Sequence, residues 1–386
     1  RHGKDAIAVD GLGHGFAPDP PKEGFDVIPM WVADMNFPTV PTIPEAIIER
    51  AKHPAYGYFS ATDEYYDSII RWHEKRNGVT GLTRECIGYE NGVLGGVVSA
   101  LGCCAAPGDA VLVHSPTYIG FTFSLENNGY KIVHSPLKKD ENGVWRMDYE
   151  DMDKKLKANH IHAAIFCSPH NPCGRVWERW EIEKAMEVYK ANDCTVISDE
   201  IHSELVFDDH VHTPYFLADD WAREHSITLT SGAKTYNIPA LPMAFAIIPN
   251  AALRQKYEAY IAGLAAVPNV VAMEAFLVSY NECSDWKEAL LRHLEGNRDY
   301  MEQRIAAMPG VSVTHNEATF LAWIDCRATG IEDPWTFFRE KAGVNFNNGV
   351  DFGCPGFVRL NFGCTRTQLT QALDQMEAAL RERLGS

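Results

Sequence analysis

Ala163-Ala164-Ile165-Phe166-Cys167-Ser168-Pro169-His170-Asn171-Pro172-Cys173-Gly174 is a short apolar run that ends in a proline-rich turn. An amphipathic helical pattern follows from about Arg179 to Ala191, and then a second apolar run, Thr195-Val196-Ile197-Ser198, ends in Asp199-Glu200. Apolar strands separated by a helix are the signature of a parallel sheet covered on both faces, because a strand buried on both sides has no polar face to alternate with. Two further runs extend the pattern, Ala110-Val111-Leu112-Val113-His114 and Ile227-Thr228-Leu229-Thr230. Val93 to Cys104, small, apolar and glycine-containing, suits a buried helix, and Gly108-Asp109 a turn. The predicted fold class is α/β with a mainly parallel central sheet. In such sheets ligands bind outside the carboxyl ends of the strands.

Away from this centre the texture changes. The first forty or so residues are rich in Gly and Pro and show neither the strand period of about 2 nor the helical period of about 3.6, as an extended arm that packs on another surface or on another subunit would. Helical periodicity begins near Pro44-Glu45-Ala46-Ile47-Ile48. After about residue 280, Trp286 to Met308 reads as one long charged helix, Leu321–Ile324 and Val358–Asn361 as short strands, and Thr367 to Leu384 as a closing helix. The expected organisation is an arm over 1–45, a large domain over 46–282 and a smaller α+β domain over 283–386.

Composition excludes several functions. The chain has 386 residues, 46% hydrophobic and 23% charged, with Lys+Arg 35 against Asp+Glu 52 and a formal net charge of −17. That balance opposes binding to nucleic acid or to an anionic membrane surface, both of which need clustered positive charge. The longest uncharged stretch, Thr235 to Leu253, contains Pro239, Pro242 and Pro249 and reads as strand and loop, not a membrane span. The ten cysteines include no C-x-x-C, so no metal site is expected; several lie in apolar runs as reduced packing residues of a cytoplasmic protein. The opening residues, Arg1 to Asp5, lack the apolar core of a signal peptide.

The residues that end each strand carry the chemistry. His114 leads to Ser115-Pro116-Thr117-Tyr118, Cys167 to Asn171, Ser198 to Asp199-Glu200-Ile201-His202, and Thr230 to Ser231-Gly232-Ala233-Lys234. Singly these are a packing aromatic, a turn, a helix cap and a solvated lysine. Together they place an aromatic, an amide, a carboxylate and an amine along one sheet edge, a set suited to a planar heteroaromatic ligand.

Asn171-Pro172-x-Gly174, Asp199-Glu200-Ile201-His202, Ser231-Gly232-Ala233-Lys234 and Arg359-Leu360-Asn361, in this order and spacing, resemble fold-type I pyridoxal-phosphate (PLP) enzymes of the aminotransferase superfamily. Val32-Ala33-Asp34-Met35, Tyr56-Gly57-Tyr58, Gly174-Arg175-Val176-Trp177 and Asn237-Ile238-Pro239-Ala240-Leu241 are similar to its cystathionine β-lyase branch, the MalY/PatB-type C–S lyases. The resemblance covers essentially the whole chain.

It implies that Lys234 carries PLP as a Schiff base and, once freed, moves the substrate's Cα proton. Asp199 would pair with the pyridine nitrogen, Asn171 and His202 would sit near the ring's 3-oxygen, and Tyr118 would stack on the ring. Gly92, Val93 and Leu94 would present N–H groups to the phosphate at a helix start, with Ser231 adding a hydroxyl. Tyr58 would reach the phosphate of a partner subunit, which makes a homodimer the expected unit. Arg359, with Asn171, would clamp the substrate carboxylate, where the ordinary alternative is a surface salt bridge. The implied reaction is α,β-elimination from L-cystathionine or cysteine S-conjugates, with aminotransfer the alternative and a catalytically silent regulatory protein the third. Four departures stand out: Ala233 where relatives often carry Ser, Pro242 where many aminotransferases carry a phosphate-binding Arg, Asn36 for an acid and Cys173 for Thr.

Overall fold

The apolar runs form the middle of a seven-stranded sheet in the computed structural model, which describes residues 1–264 and 267–385. Across the sheet the order is Ile87–Glu90, Ala244–Ile247, Ser226–Thr230, Thr195–Asp199, Ala163–Cys167, Ala110–Ser115 and Lys131–Pro136. The last five run parallel, while Ala244–Ile247 is antiparallel to both its neighbours.

Strand Ala163–Cys167 shows why the sequence is apolar throughout. Ala163, Ile165 and Cys167 enter the core shared with helix Val93–Cys104, and Ala164 and Phe166 enter the core shared with helix Arg179–Ala191. Each face is buried, and burying one such large apolar side chain is worth roughly 1.5–3 kcal/mol. Helix Arg179–Ala191 starts where expected because Glu178 and Glu181 form a reciprocal capping box. Its buried Ile182, Ala185, Met186 and Tyr189 follow the i, i+3, i+4, i+7 stripe. Helix Val93–Cys104 lies so close to the sheet that a Cβ on Gly96 would stand 2.7 Å from Leu229 Cδ2.

Towards the C-terminus a second, antiparallel sheet has the order Ser312–Val313, Leu321–Asp325, Phe357–Asn361, Asn347–Asn348. Helices Ser284–Ala306, Pro334–Ala342 and Arg366–Leu384 pack with it in one hydrophobic cluster. The N-terminal arm differs from an extended ribbon. It is a succession of turns up to Ile28–Pro29, which pairs in parallel with Val344–Asn345 in a separate two-stranded sheet and so ties the arm to the C-terminal part of the chain. Its local glycines and prolines favour turns over ladder pairing.

All ten cysteines are free, seven buried and three half-buried. Among the described residues there is no His/Cys/Asp/Glu group fit to hold a metal ion, and no helix long and apolar enough to cross a membrane.

Candidate active site

The four predicted strand ends meet at one cavity of about 270 Å³, lined by Tyr118, Asn171, Asp199, His202, Ser231 and Lys234. Gly92, Val93 and Leu94 close another side, and Ala33 from the N-terminal segment closes the top. Parallel strands brought these groups together because each strand ends at the same sheet edge.

Asp199 is the last residue of its strand and accepts a hydrogen bond from Ile201 N at 3.0 Å. Burial pushes its carboxyl from 3.8 up to about 7; Glu200 pushes the same way, while the Ile201 bond and Lys234 oppose. A carboxylate taken from water without a contacting cation is costly, and Asp199 forms no ion pair among the described residues. Lys234 is half-buried and donates from Nζ to Ala33 O at 2.6 Å. Burial first, and the Arg359 charge second, lower its ammonium from 10.5 to about 8. A free amine is therefore far more accessible at neutral pH than in an ordinary lysine.

His202 is buried against Phe320, ring centroids 6.1 Å apart, and burial lowers it to about 3, so the imidazole is neutral. Its Nδ1 has no hydrogen-bond partner. Tyr118 precedes helix Ile119–Asn127, and its ring lies over Gly120, where a Cβ would stand 2.4 Å from Tyr118 Cε1. Burial raises the phenol, which stays protonated.

Arg359 approaches from the second sheet, on strand Phe357–Asn361 opposite Trp323 and Asn347. Its Nη1 donates to Asn171 Oδ1 at 3.0 Å, and Nη2 donates to Trp31 O at 3.1 Å and Asn347 Oδ1 at 2.5 Å. Nε is buried with no partner. Burial lowers the guanidinium to about 10, which still leaves it a cation at neutral pH.

The helix-start side is uncharged. Gly92 has φ 152°, in the region that favours glycine, and precedes the first turn of helix Val93–Cys104. Pro242 and Met243 line the cavity where a cation was absent from the sequence pattern. Ser231 lines it too, but its hydroxyl donates to Met243 O at 2.6 Å and accepts from Ala233 N at 3.1 Å. Donation to an anion requires that bond to be exchanged. Tyr58 is fully exposed and is not part of the cavity lining.

Three participants escaped the sequence reading. The Ala33 carbonyl has no side-chain signature at all. Asn347 was invisible because only strand register places it against Arg359. Asn237 lay within a quoted motif without a role: at φ 53°, a conformation Asn tolerates, it donates to Met35 O and Phe37 O and accepts from Met35 N. Those bonds fix the N-terminal segment over the Lys234 loop.

Comparison with known proteins places the chain in a family. The chain is 35% identical over 363 residues to the cystathionine beta-lyase PatB of Bacillus subtilis, covering 92% of this chain and 93% of that one. It is 31% identical over 366 residues to the protein MalY of Escherichia coli, covering 92% of each. The crystal structure of the PLP-bound C-S lyase from Staphylococcus hominis superposes with a TM-score of 0.90 at 29% identity, covering 99% of this chain and 97% of that one. The model of one family, aminotransferase class I and II, matches residues 26–376. The chain belongs to the aminotransferase class I and II family.

Proposed function

We propose that this chain is a PLP-dependent C–S β-lyase that splits L-cystathionine or related cysteine S-conjugates into a thiol, pyruvate and ammonia. The observation that carries the reading is the meeting, in one cavity, of Lys234 with its ammonium lowered to about 8 and Asp199 with its carboxyl raised to about 7. The likeness to PatB and to the C-S lyase structure favours elimination over other PLP reactions.

The residues fit PLP. A buried carboxylate without a cation suits a pyridinium nitrogen, and an unpartnered His202 Nδ1 in the cavity that Asn171 also lines suits a ring oxygen. The open helix start at Gly92, Val93 and Leu94 suits a phosphate. When bound, PLP supplies an electron-withdrawing ring that makes the Cα–H of an attached amino acid acidic. Lys234 would hold the cofactor, Asp199 its pyridine nitrogen, Asn171 and His202 its 3-oxygen and Tyr118 its ring face. Arg359 binds the substrate carboxylate and so fixes which Cα bond faces Lys234. Lys234 Nζ takes the Cα proton, and the Cβ–S bond then breaks with its electron pair leaving on sulfur. One water completes the balance, giving pyruvate and ammonia from the three-carbon fragment.

The same reading includes a homodimer in which the exposed Tyr58 serves the partner's phosphate site, a cytoplasmic location, and the division into an arm, a large domain and a small domain at about residues 45 and 282. Incubation with L-cystathionine and no 2-oxo acid tests the reaction. Pyruvate and thiol released in equal amounts support the lyase; absolute dependence on a 2-oxo acid acceptor overturns it in favour of an aminotransferase.

A further inference from the structure

Three arginines are almost completely buried, Arg175, Arg298 and Arg359, with 1%, 3% and 3% exposure. Two of them follow the usual rule that a buried charge is paired. Arg175 meets the carboxylates of Glu181 and Glu317, and Arg298 those of Asp208 and Asp299. Arg359 breaks the rule: among the described residues it forms no ion pair, and its three hydrogen bonds go to Asn171 Oδ1, Asn347 Oδ1 and Trp31 O, all neutral.

Of the three acceptors, Trp31 O belongs to the backbone and Asn171 lines the cavity. Asn347 lies outside that lining. It sits on the two-residue strand Asn347–Asn348, directly opposite Arg359 in register, and its Oδ1 accepts from Nη2 at 2.5 Å. An aspartate there would have the same shape, would accept the same hydrogen bond, and would reproduce the arrangement around Arg175 and Arg298. It would also cancel the charge. A guanidinium offers five N–H groups, and here three are occupied by oxygens that orient it without neutralising it.

We propose that Asn347 is a specificity-determining residue that orients Arg359 through a neutral acceptor, so that the buried cation keeps its full attraction for the free carboxylate of an amino-acid substrate. The inference rests on the amino-acid-cleaving function proposed above and names how this site chooses its substrate class. The amide matters for what it lacks: it holds the fork in place and leaves the countercharge to be supplied by the ligand.

The test is a titration of the PLP-loaded holoenzyme, followed in the visible spectrum, with L-alanine and with ethylamine, which is the same amine without the carboxylate. Asn347→Asp is expected to weaken L-alanine on the order of 10–100-fold, the range of a charge-assisted pair, while leaving ethylamine nearly unchanged. Asn347→Ala, which removes the acceptor but adds no charge, is expected to weaken L-alanine much less. Unchanged L-alanine affinity in Asn347→Asp overturns the proposal. Equal losses in the aspartate and alanine variants overturn it as well, because geometry alone would then explain the effect. A loss of ethylamine affinity matching that of L-alanine reports a damaged cofactor site and also counts against it. The titration reads binding only. A wild-type enzyme that binds L-alanine yet releases no pyruvate from cystathionine therefore sinks the lyase function, while the variant comparison still decides the role of Asn347.

Discussion

Lys234 Nζ and the carbonyl oxygen of Ala33, 201 residues apart in sequence, meet at 2.6 Å. The amine that the proposed reaction needs is thus held by backbone from the N-terminal segment, not by a neighbouring side chain. Burial and the Arg359 charge keep it near neutrality, and Asp34 and Asp199 pull the other way.

Replacing Lys234 by Ala removes the residue proposed as both covalent anchor and proton carrier. We expect pyruvate release to fall at least on the order of 10²–10⁴-fold, the usual contribution of a positioned acid–base group. Borohydride treatment of the wild type should fix the cofactor to the chain, and the variant should show no such adduct by mass spectrometry. A covalent adduct in Lys234→Ala would assign the anchor elsewhere.

Asp199 gives a pH prediction for protein stripped of cofactor. Its folded value of about 7 stands above the ordinary 3.8. The folded chain therefore holds a proton that the unfolded chain releases between those values. Stability from this group is fully present below about 3.8 and is lost as pH rises through about 7, falling by about 1.4 kcal/mol for each pH unit crossed between them. His202 and His114, lowered by burial to about 3, act in the opposite direction below 6.5. Comparing wild type with Asp199→Asn cancels that background. The variant apoprotein should gain on the wild type from pH 4 to 7 in chemical denaturation, and the gap should flatten above. With PLP added the order should reverse, because the pyridinium loses its carboxylate. A gap independent of pH would show that Asp199 titrates normally.

Arg359→Lys keeps a cation but loses the planar fork. The expected result is a KM for cystathionine raised on the order of 100-fold, with the visible spectrum of the bound cofactor unchanged. A drop in kcat at unchanged KM would place Arg359 in the chemistry instead.

Tyr58 is testable by subunit mixing. If it serves the partner's site, Tyr58→Ala and Lys234→Ala chains, each nearly inactive alone, should recover up to about a quarter of the wild-type sites when co-expressed, because half the dimers then contain one complete site. No recovery from a mixture shown to contain hybrids would remove Tyr58 from that role.

Gly174→Ala should damage the fold. Gly174 has φ +66°, and an added Cβ would fall 2.1 Å from Asn316 Oδ1. Its carbonyl also accepts from Glu317 N and Ala318 N, so the turn cannot move freely. A loss of about 2–4 kcal/mol is expected in denaturant melts, from left-handed strain together with overpacking.

Much of this was legible because it rests on period and turn chemistry. Helices Val93–Cys104 and Arg179–Ala191 fall on the residues their apolar patterns mark, and strand Ala163–Cys167 ends at the turn announced by Asn171-Pro172-x-Gly174. Lys234, Asp199, Asn171 and Tyr118 were readable because each follows an apolar strand, and parallel strands finish at one edge. The lining by Ala33 and the contact of Asn347 with Arg359 were not readable. A carbonyl is identical in every residue, and cross-strand register depends on how two distant segments align. The engaged hydroxyl of Ser231 was equally hidden, since its acceptor is again backbone.

The backbone from Trp31 to Asp34 has one further consequence. Arg359 binds the carbonyl of Trp31, Asn361 those of Val32 and Asp34, and Lys234 that of Ala33. Four consecutive oxygens are divided between the strand that carries Arg359 and Asn361 and the loop that carries Lys234. Under the roles proposed for Arg359 and Lys234, the segment would act as a spacer gauge between the group that takes a carboxylate and the group that takes an amine. A change at Val32, between the two carbonyls that Arg359 and Lys234 bind, is expected to shift both groups together. Defects there are expected to show as lost affinity and lost turnover together, although Val32 is not part of the cavity lining and its carbonyl is held by Asn361.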